Sequence, residues 1–183
     1  IYDLEAIVDA YKGVINMNDS IVVRQARKSD VMSISQILSQ SWKAAFNDFF
    51  SPDELSQIAS EERFFSILEN VIVSNMGELR VATLDDTPVG EIFWYSNPVR
   101  NATEIISLFT LPQIWGKGVG KQLLLQAEAE SQHNLMELWT FQKNARARRF
   151  YEKMGYTLSA NMRASDFVGL SEVQYVKELV SSN

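Results

Sequence analysis

The sequence predicts a single α/β domain, and its length and two strand–helix stretches carry that prediction. A chain of 183 residues, 46% of them apolar, is long enough to bury one core. Residues 105–111 are apolar or β-branched except Ser107, which suits a buried strand, and a glycine-rich turn and a helix follow. Residues 136–141 predict another strand, and Asn144 can cap the helix after it. Strands that alternate with helices indicate a sheet with helices packed against it.

The first half of the chain supplies an extension, a strand and two helical regions. Residues 1–20 are interpreted as an N-terminal extension without an assigned function, and residues 21–183 as the single domain. A strand begins at Ile21, and a helix is predicted over about 30–43. The Ser-Pro pair at 51–52 is a strong helix start, and the second helical region extends to about residue 70.

The remaining predicted elements follow in chain order. They are strands at 79–84 and 89–95 around a turn at 85–88, a strand at 103–111, a helix from 120 to about 133, a strand at 136–141, a helix at 144–155, and strands at 156–163 and 172–179.

Composition excludes several classes of protein. The chain has no cysteine, which excludes disulfides and thiolate ligands, and we expect no metal site. A net charge of −6 argues against a general nucleic-acid binder. No apolar run approaches the length of a membrane span and no signal peptide is visible, so we expect a cytoplasmic protein without a membrane partner.

The glycine-rich turn is a candidate phosphate site. Gly116, Gly118 and Gly120 alternate just before a helix, where free amides and the positive end of the helix dipole attract phosphate oxygens. The P-loop spacing is absent, and so is the G-x-G-x-x-G spacing of dinucleotide-binding folds. The alternative is a structural turn that binds no ligand.

Two motifs resemble the GNAT acetyltransferase superfamily. Residues 115–120, W-G-K-G-V-G, resemble its motif A, [Q/R]-x-x-G-x-[G/A], although Trp115 replaces the usual Gln or Arg. Residues 144–156 resemble its motif B, N-x-x-A-x-x-F-Y-x-x-x-G-[F/Y]. The resemblance, which covers roughly residues 21–179, implies a mixed, mostly antiparallel sheet of six or seven strands, flanked by helices and splayed between its two central strands.

The resemblance also implies acetyl-CoA as the cofactor and a set of residues that hold it. The main chain of the strand at 103–111 would pair with the pantetheine arm and supply the oxyanion donor. The glycine turn would bind the pyrophosphate, and motif B would contribute two side chains. These residues are Leu108, Phe109, Thr110, Leu111, Trp115, Gly116, Lys117, Gly118, Val119, Gly120, Lys121, Asn144 and Tyr151.

The implied reaction is acetyl transfer to an amine by direct attack on the thioester. An alkyl amine with a pKa near ~10.4 must lose a proton before it attacks. Glu104, eleven residues before Trp115, matches the family's base glutamate and would act directly or through an ordered water. Tyr151 matches the family's general acid. The competing interpretations are a hydrated strand-end glutamate and a core tyrosine.

Two function classes stay open at this stage. The first is an N-acetyltransferase for a small-molecule or peptide amine, and the second is a non-catalytic acyl-CoA-binding module of the same fold. A larger acyl donor is a further option. Residues 48–86 contain nine acidic residues and only two basic ones, Arg63 and Arg80. This region would attract a cationic acceptor if it faced the acceptor; otherwise it forms a solvated surface. Expected partners are the amine and, because dimers are common in the family, a second copy of the chain.

Overall fold

The computed structural model describes residues 21–165 and 169–180, which form one sheet between two layers of helices. The predicted extension, 1–20, lies outside the described residues. The strands are β1 Ile21–Gln25, β2 Glu78–Leu84, β3 Thr87–Asn97, β4 Ala102–Thr110, β5 Leu135–Phe141, β6 Thr157–Ala164 and β7 Ser171–Glu178. The helices are α1 Val31–Phe46, α2 Pro52–Ile58, α3 Glu61–Ser74, α4 Val119–Glu130 and α5 Ala145–Lys153.

Within the described ranges the sheet has seven strands, in the order β1-β2-β3-β4-β5-β7-β6. Neighbouring strands run antiparallel except β4 and β5, which are parallel and pair only from Thr103 with Met136 to Ile105 with Leu138. Beyond Ile105 the two strands separate. The predicted fold class is therefore confirmed, including the splay between the central strands.

Helices cover both faces of the sheet. On one side, here called the α1 face, α1 and α3 bury Ile34 and Phe64 against Val81 of β2. On the opposite side, the α4 face, α4 packs on β1 to β4 with Leu123 and Leu124 buried, and α5 adds its residues to the same core. Each of these fully buried leucines contributes roughly 1.5–3 kcal/mol by leaving water. The two layers leave the splayed ends of β4 and β5 between them.

The predicted second helical region is two helices. Ser51 caps α2, and its hydroxyl and amide exchange hydrogen bonds with Glu54 in a capping box. The helix ends at Ala59, whose backbone leaves the helical region, and Ser60 caps α3 through the amide of Arg63. A second serine cap is the signal for this break, since serine is a preferred N-cap residue.

Other helix and strand boundaries differ from the predicted ones by a few residues. The hairpin turn contains only Asp85 and Asp86, both with positive φ, so Pro88 already belongs to β3. The helix predicted to reach residue 133 ends at Glu130, because Ser131 is extended. In the described part of the chain, no helix has both the length and the apolar character that crossing a membrane would require.

Candidate active site

A cleft of about 500 Å³ opens where β4 and β5 diverge. It is walled by Ile105–Thr110 of β4 and Leu138–Phe141 of β5. The glycine turn closes one end. The other end, here called the aromatic end, is built from Trp42, Phe46, Phe109 and Phe141. Among the predicted cofactor residues, all except Leu111 and Lys117 line this cleft.

A β-bulge shapes the β4 wall. Trp94 pairs with Ile105 and Phe93 with Ser107, so Ile106 is the extra residue, and it is 51% exposed. The amide of Leu111 donates to the carbonyl of Val89, 2.9 Å away. Because alternate amides of an antiparallel strand face its partner, those of Leu108 and Thr110 point toward the cleft. The bulge thus precedes the predicted stretch 108–111, and the Leu111 amide is already bonded.

The glycine turn has the geometry of an anion cradle. Gly116 and Gly118 have φ of 79° and 90°, a left-handed conformation that favours glycine. No side chain in the described part of the protein caps the start of α4, so the first amides of that helix are free to bind an anion. A Cβ at Gly120 would meet Phe150 at an ordinary 3.7 Å, so that position does not demand glycine sterically. The residues present fit the pyrophosphate of coenzyme A.

Trp115 and Arg146 form a stack beside this cradle, which the sequence did not predict. The indole of Trp115 donates to the carbonyl of Thr110 at 2.9 Å, which fixes the ring. The guanidinium carbon of Arg146 lies 3.2 Å from the ring centroid. Partial burial lowers the pKa of Arg146, but an arginine stays charged. Helix α5 therefore places a cation against Trp115, the residue that replaces the usual Gln or Arg of the motif.

Tyr151 lies in the cleft wall between the two ends. It is buried against Phe150, Tyr156 and Tyr175, and no described residue hydrogen-bonds to its hydroxyl. Burial, with a smaller contribution from the charge of Glu91, raises the pKa of Tyr151 above its ordinary value. The hydroxyl consequently keeps its proton across the neutral pH range.

Asn144 lines the cleft and caps α5. Its side-chain oxygen accepts the amide of Ala147 at 3.1 Å, as its position in the motif predicted. The side-chain amide group remains for a ligand. Contact with pantetheine stays a prediction.

Glu104 lies just below the cleft. Its neighbour along the strand, Ile105, lines the cleft, whereas the side chain of Glu104 is not part of the lining. Its carboxylate accepts from the Tyr95 hydroxyl at 2.7 Å and from Asn97 at 3.3 Å, on the α1 face. It pairs across the parallel strands with Glu137, which is fully buried. The sequence could not indicate this face, because both faces of β4 are covered there.

Glu91 is a buried carboxyl that the sequence analysis missed. It is fully buried on β3 and accepts a hydrogen bond from the hydroxyl of Ser107 at 2.9 Å. Its Oε1 has no hydrogen-bond partner among residues 21–165 and 169–180. Burial raises the pKa of Glu91 to about 8, so it is mostly protonated at neutral pH. The signal was a lone carboxylate in the apolar run V-G-E-I-F-W at 89–94.

The aromatic end combines core packing with an open face. Trp42 meets Phe46 and Phe109 with ring centroids 4.7 and 6.2 Å away, and Phe46 meets Phe141 at 5.2 Å. None of the acidic residues between 48 and 86 lines the cleft, which favours their solvated interpretation. Among described residues, Glu172 is the one carboxylate-bearing residue in the lining.

The single histidine of the sequence lies outside the cleft lining. The ring of His133 hydrogen-bonds Ser96 near the end of β3 and Asn101 in the turn before β4. The described residues contain no group of three metal-binding side chains.

Sequence comparison identifies relatives of this chain. Residues 33–156 match the profile of the Acetyltransferase (GNAT) family. The chain is 26% identical over 156 residues to a spermidine N(1)-acetyltransferase from Thermoplasma acidophilum, and the match covers 81% of this chain and 95% of the relative.

Solved structures share the fold. The PaiA N-acetyltransferase of Thermoplasma acidophilum in complex with coenzyme A matches with a TM-score of 0.69 and 21% identity, over 87% of this chain and 99% of that one. The yncA structure of Salmonella typhimurium, a putative acetyltransferase with its cofactor acetyl-CoA, matches with a TM-score of 0.64 and 19% identity, over 89% and 96%.

Proposed function

Because the chain belongs to the acetyltransferase (GNAT) family and is an N-acetyltransferase that uses acetyl-CoA, we propose that it acetylates a primary amine by direct attack on the thioester. The observation that carries this proposal is one continuous cleft in which the glycine cradle, the free amides of β4 and Tyr151 lie together. A structural glycine turn would not need to share a cleft with an unbonded tyrosine hydroxyl.

The chain's own groups fit the cofactor. The cradle at Gly116 and Gly118 would hold the pyrophosphate, with Arg146 beside it, and the amides of Leu108 and Thr110 would pair with the pantetheine arm. Acetyl-CoA supplies the acetyl group as a thioester. Of these two amides, the one that lies at the thioester would donate to the carbonyl oxygen on which negative charge develops, and the other would pair with the arm.

Glu104 takes the proton of the acceptor ammonium through an ordered water. Glu104 is the strand neighbour of Ile105 in the cleft wall, and its own side chain is not part of the lining, so a relay rather than direct contact suits its position. Hydrogen bonds from Tyr95 and Asn97 hold it in place.

Tyr151 supplies the acid. Its unbonded hydroxyl can donate its proton to the departing sulfur. The raised pKa of Tyr151 keeps the proton in place until negative charge develops on that sulfur. The same raised pKa makes complete transfer costlier, so a strong hydrogen bond is part of its contribution.

The acceptor is a cationic alkyl amine of the spermidine type. Support comes from the relative named as a spermidine N(1)-acetyltransferase and from the aromatic end, where rings and the Glu172 carboxylate favour a cation. A peptide amine is the alternative acceptor, and it belongs in the same screen.

The test measures thiol release from acetyl-CoA with spermidine, butylamine and a short peptide, alongside calorimetric titration of CoA. Tyr151→Phe should lower kcat by a factor of roughly 10²–10⁴ while CoA still binds. Glu104→Gln should shift the pH profile of kcat/KM toward higher pH. Gly118→Glu should abolish CoA binding. Binding to the wild type without turnover over the whole panel would instead indicate the non-catalytic module.

A further inference from the structure

Arg163 contacts two residues of the cleft lining and is not itself part of that lining. It lies on β6, directly opposite Glu172 of β7, and its Nε donates to the Glu172 carboxylate at 2.6 Å. Its guanidinium carbon also stands 4.2 Å from the ring centroid of Trp139 on β5. A single cation thus contacts a carboxylate and an indole at once.

The two groups beneath Arg163 belong to the cleft, whereas Arg163 does not. Trp139 and Glu172 both line it. An aromatic face beside a carboxylate is what recognises an organic ammonium ion, since the ring quadrupole and the negative charge both attract it. The pair is therefore a preformed cation site that opens into the cleft and is filled from outside by a side chain of the same protein.

We propose, as an extension of the function proposed above, that Trp139 and Glu172 form a subsite for the second ammonium group of a diamine or polyamine acceptor, and that Arg163 holds this subsite until the acceptor displaces it. Arg163 is then a specificity-determining residue. It lowers the affinity for acceptors with a distal cation and leaves monoamines unaffected.

Arg163 is suited to exchange. Its side chain is 48% exposed, whereas that of Glu172 is 15% exposed, so the carboxylate is fixed and the guanidinium can turn into water. Exposed ion pairs and exposed ring contacts are individually weak, and a long flexible side chain loses little by leaving them.

The position along the strands suits a second amine. Leu138 is the last β5 residue paired with β4. Glu172 faces Phe141, three residues further, which is about 10 Å along an extended strand. A linear acceptor whose reacting nitrogen lies where the strands part can therefore place a distal ammonium at Glu172.

The test compares spermidine with butylamine as acceptors, using Arg163→Ala, Glu172→Gln and the control Arg149→Ala, an exposed arginine on α5 outside the cleft lining. Arg163→Ala should lower KM for spermidine roughly threefold to tenfold, without changing kcat or the KM for butylamine. Glu172→Gln should raise KM for spermidine alone, and Arg149→Ala should change neither KM.

The proposal is overturned if Arg163→Ala leaves the KM for spermidine unchanged or raises it, because the pair would then only brace the β6–β7 hairpin. Arg163→Gln replaces Arg163→Ala if the alanine variant unfolds. If the enzyme releases no thiol from acetyl-CoA with any amine, the proposed function itself fails. Calorimetry of spermidine binding to the CoA-saturated wild type and to Arg163→Ala then tests separately whether the subsite exists. Tighter spermidine binding by the variant supports it, and equal or weaker binding refutes it.

Discussion

Replacing Glu91 with glutamine should make the stability of the protein less dependent on pH. The pKa of Glu91 rises on folding from an ordinary 4.5 to about 8, chiefly because burial disfavours its charged form. Below the lower value both the folded and unfolded chains hold the proton. Between the two values only the folded chain holds it, so rising pH favours the unfolded chain.

The magnitude follows from the same two values. Each pH unit in this window reduces the free energy of unfolding by about 1.4 kcal/mol. The slope is smaller near either pKa value, so from pH 5 to pH 8 the wild type should lose about 3–4 kcal/mol relative to Glu91→Gln, with the pKa of Glu91 at about 8 marking the upper end of the loss. The new amide leaves a buried N–H without a partner, which costs about 1–3 kcal/mol at every pH and cancels from the comparison.

Urea unfolding of both proteins across this pH range measures the effect. Glu62→Gln, the same chemical change on the exposed face of α3, is the control and should run parallel to the wild type. The reasoning is refuted if the difference in unfolding free energy between the wild type and Glu91→Gln is the same at pH 5 and pH 8. That result would mean that the ionised carboxylate is accommodated within the fold.

Two further predictions concern the phosphate end. Gly118→Ala should destabilise the fold by about 1–2 kcal/mol, because φ at that residue is 90°. Gly120→Ala lies in regular helix and should be neutral or stabilise the fold by about 0.5 kcal/mol. Urea unfolding separates the two variants, and equal losses of stability would contradict the different backbone conformations assigned to the two glycines. Arg146→Ala should weaken CoA binding about tenfold, more at low salt, while Arg149→Ala should not. Calorimetry at two salt concentrations checks this, and an unchanged Kd for Arg146→Ala would mean that its stack on Trp115 is purely structural.

Local patterns made most of the fold predictable. The apolar run at 105–111, the glycine turn after it and the Asn144 cap each act over a few residues, so the sequence alone indicates them. The sequence did not indicate the break at Ala59, because both sides of it are helical. Two short helices in succession leave the same apolar spacing as one helix.

The site was predictable as far as its motifs extend. The cradle and Tyr151 lie in contiguous patterns. The Trp115–Arg146 stack joins residues far apart in sequence, and the partners of Arg163 come from two other strands. The orientation of Glu104 depended on the pairing of β3, β4 and β5, which no local spacing encodes.

The splay has a consequence for the solubility of the chain. When β4 and β5 part after Ile105, each exposes a row of unpaired backbone groups, and such an open edge ordinarily recruits a foreign strand and seeds aggregation. Here both edges face each other in the middle of the sheet, with helices above and below them and the aromatic end beside them. The unpaired strand edges thus lie inside the sheet and not at its outer rim, where strands of other proteins ordinarily add.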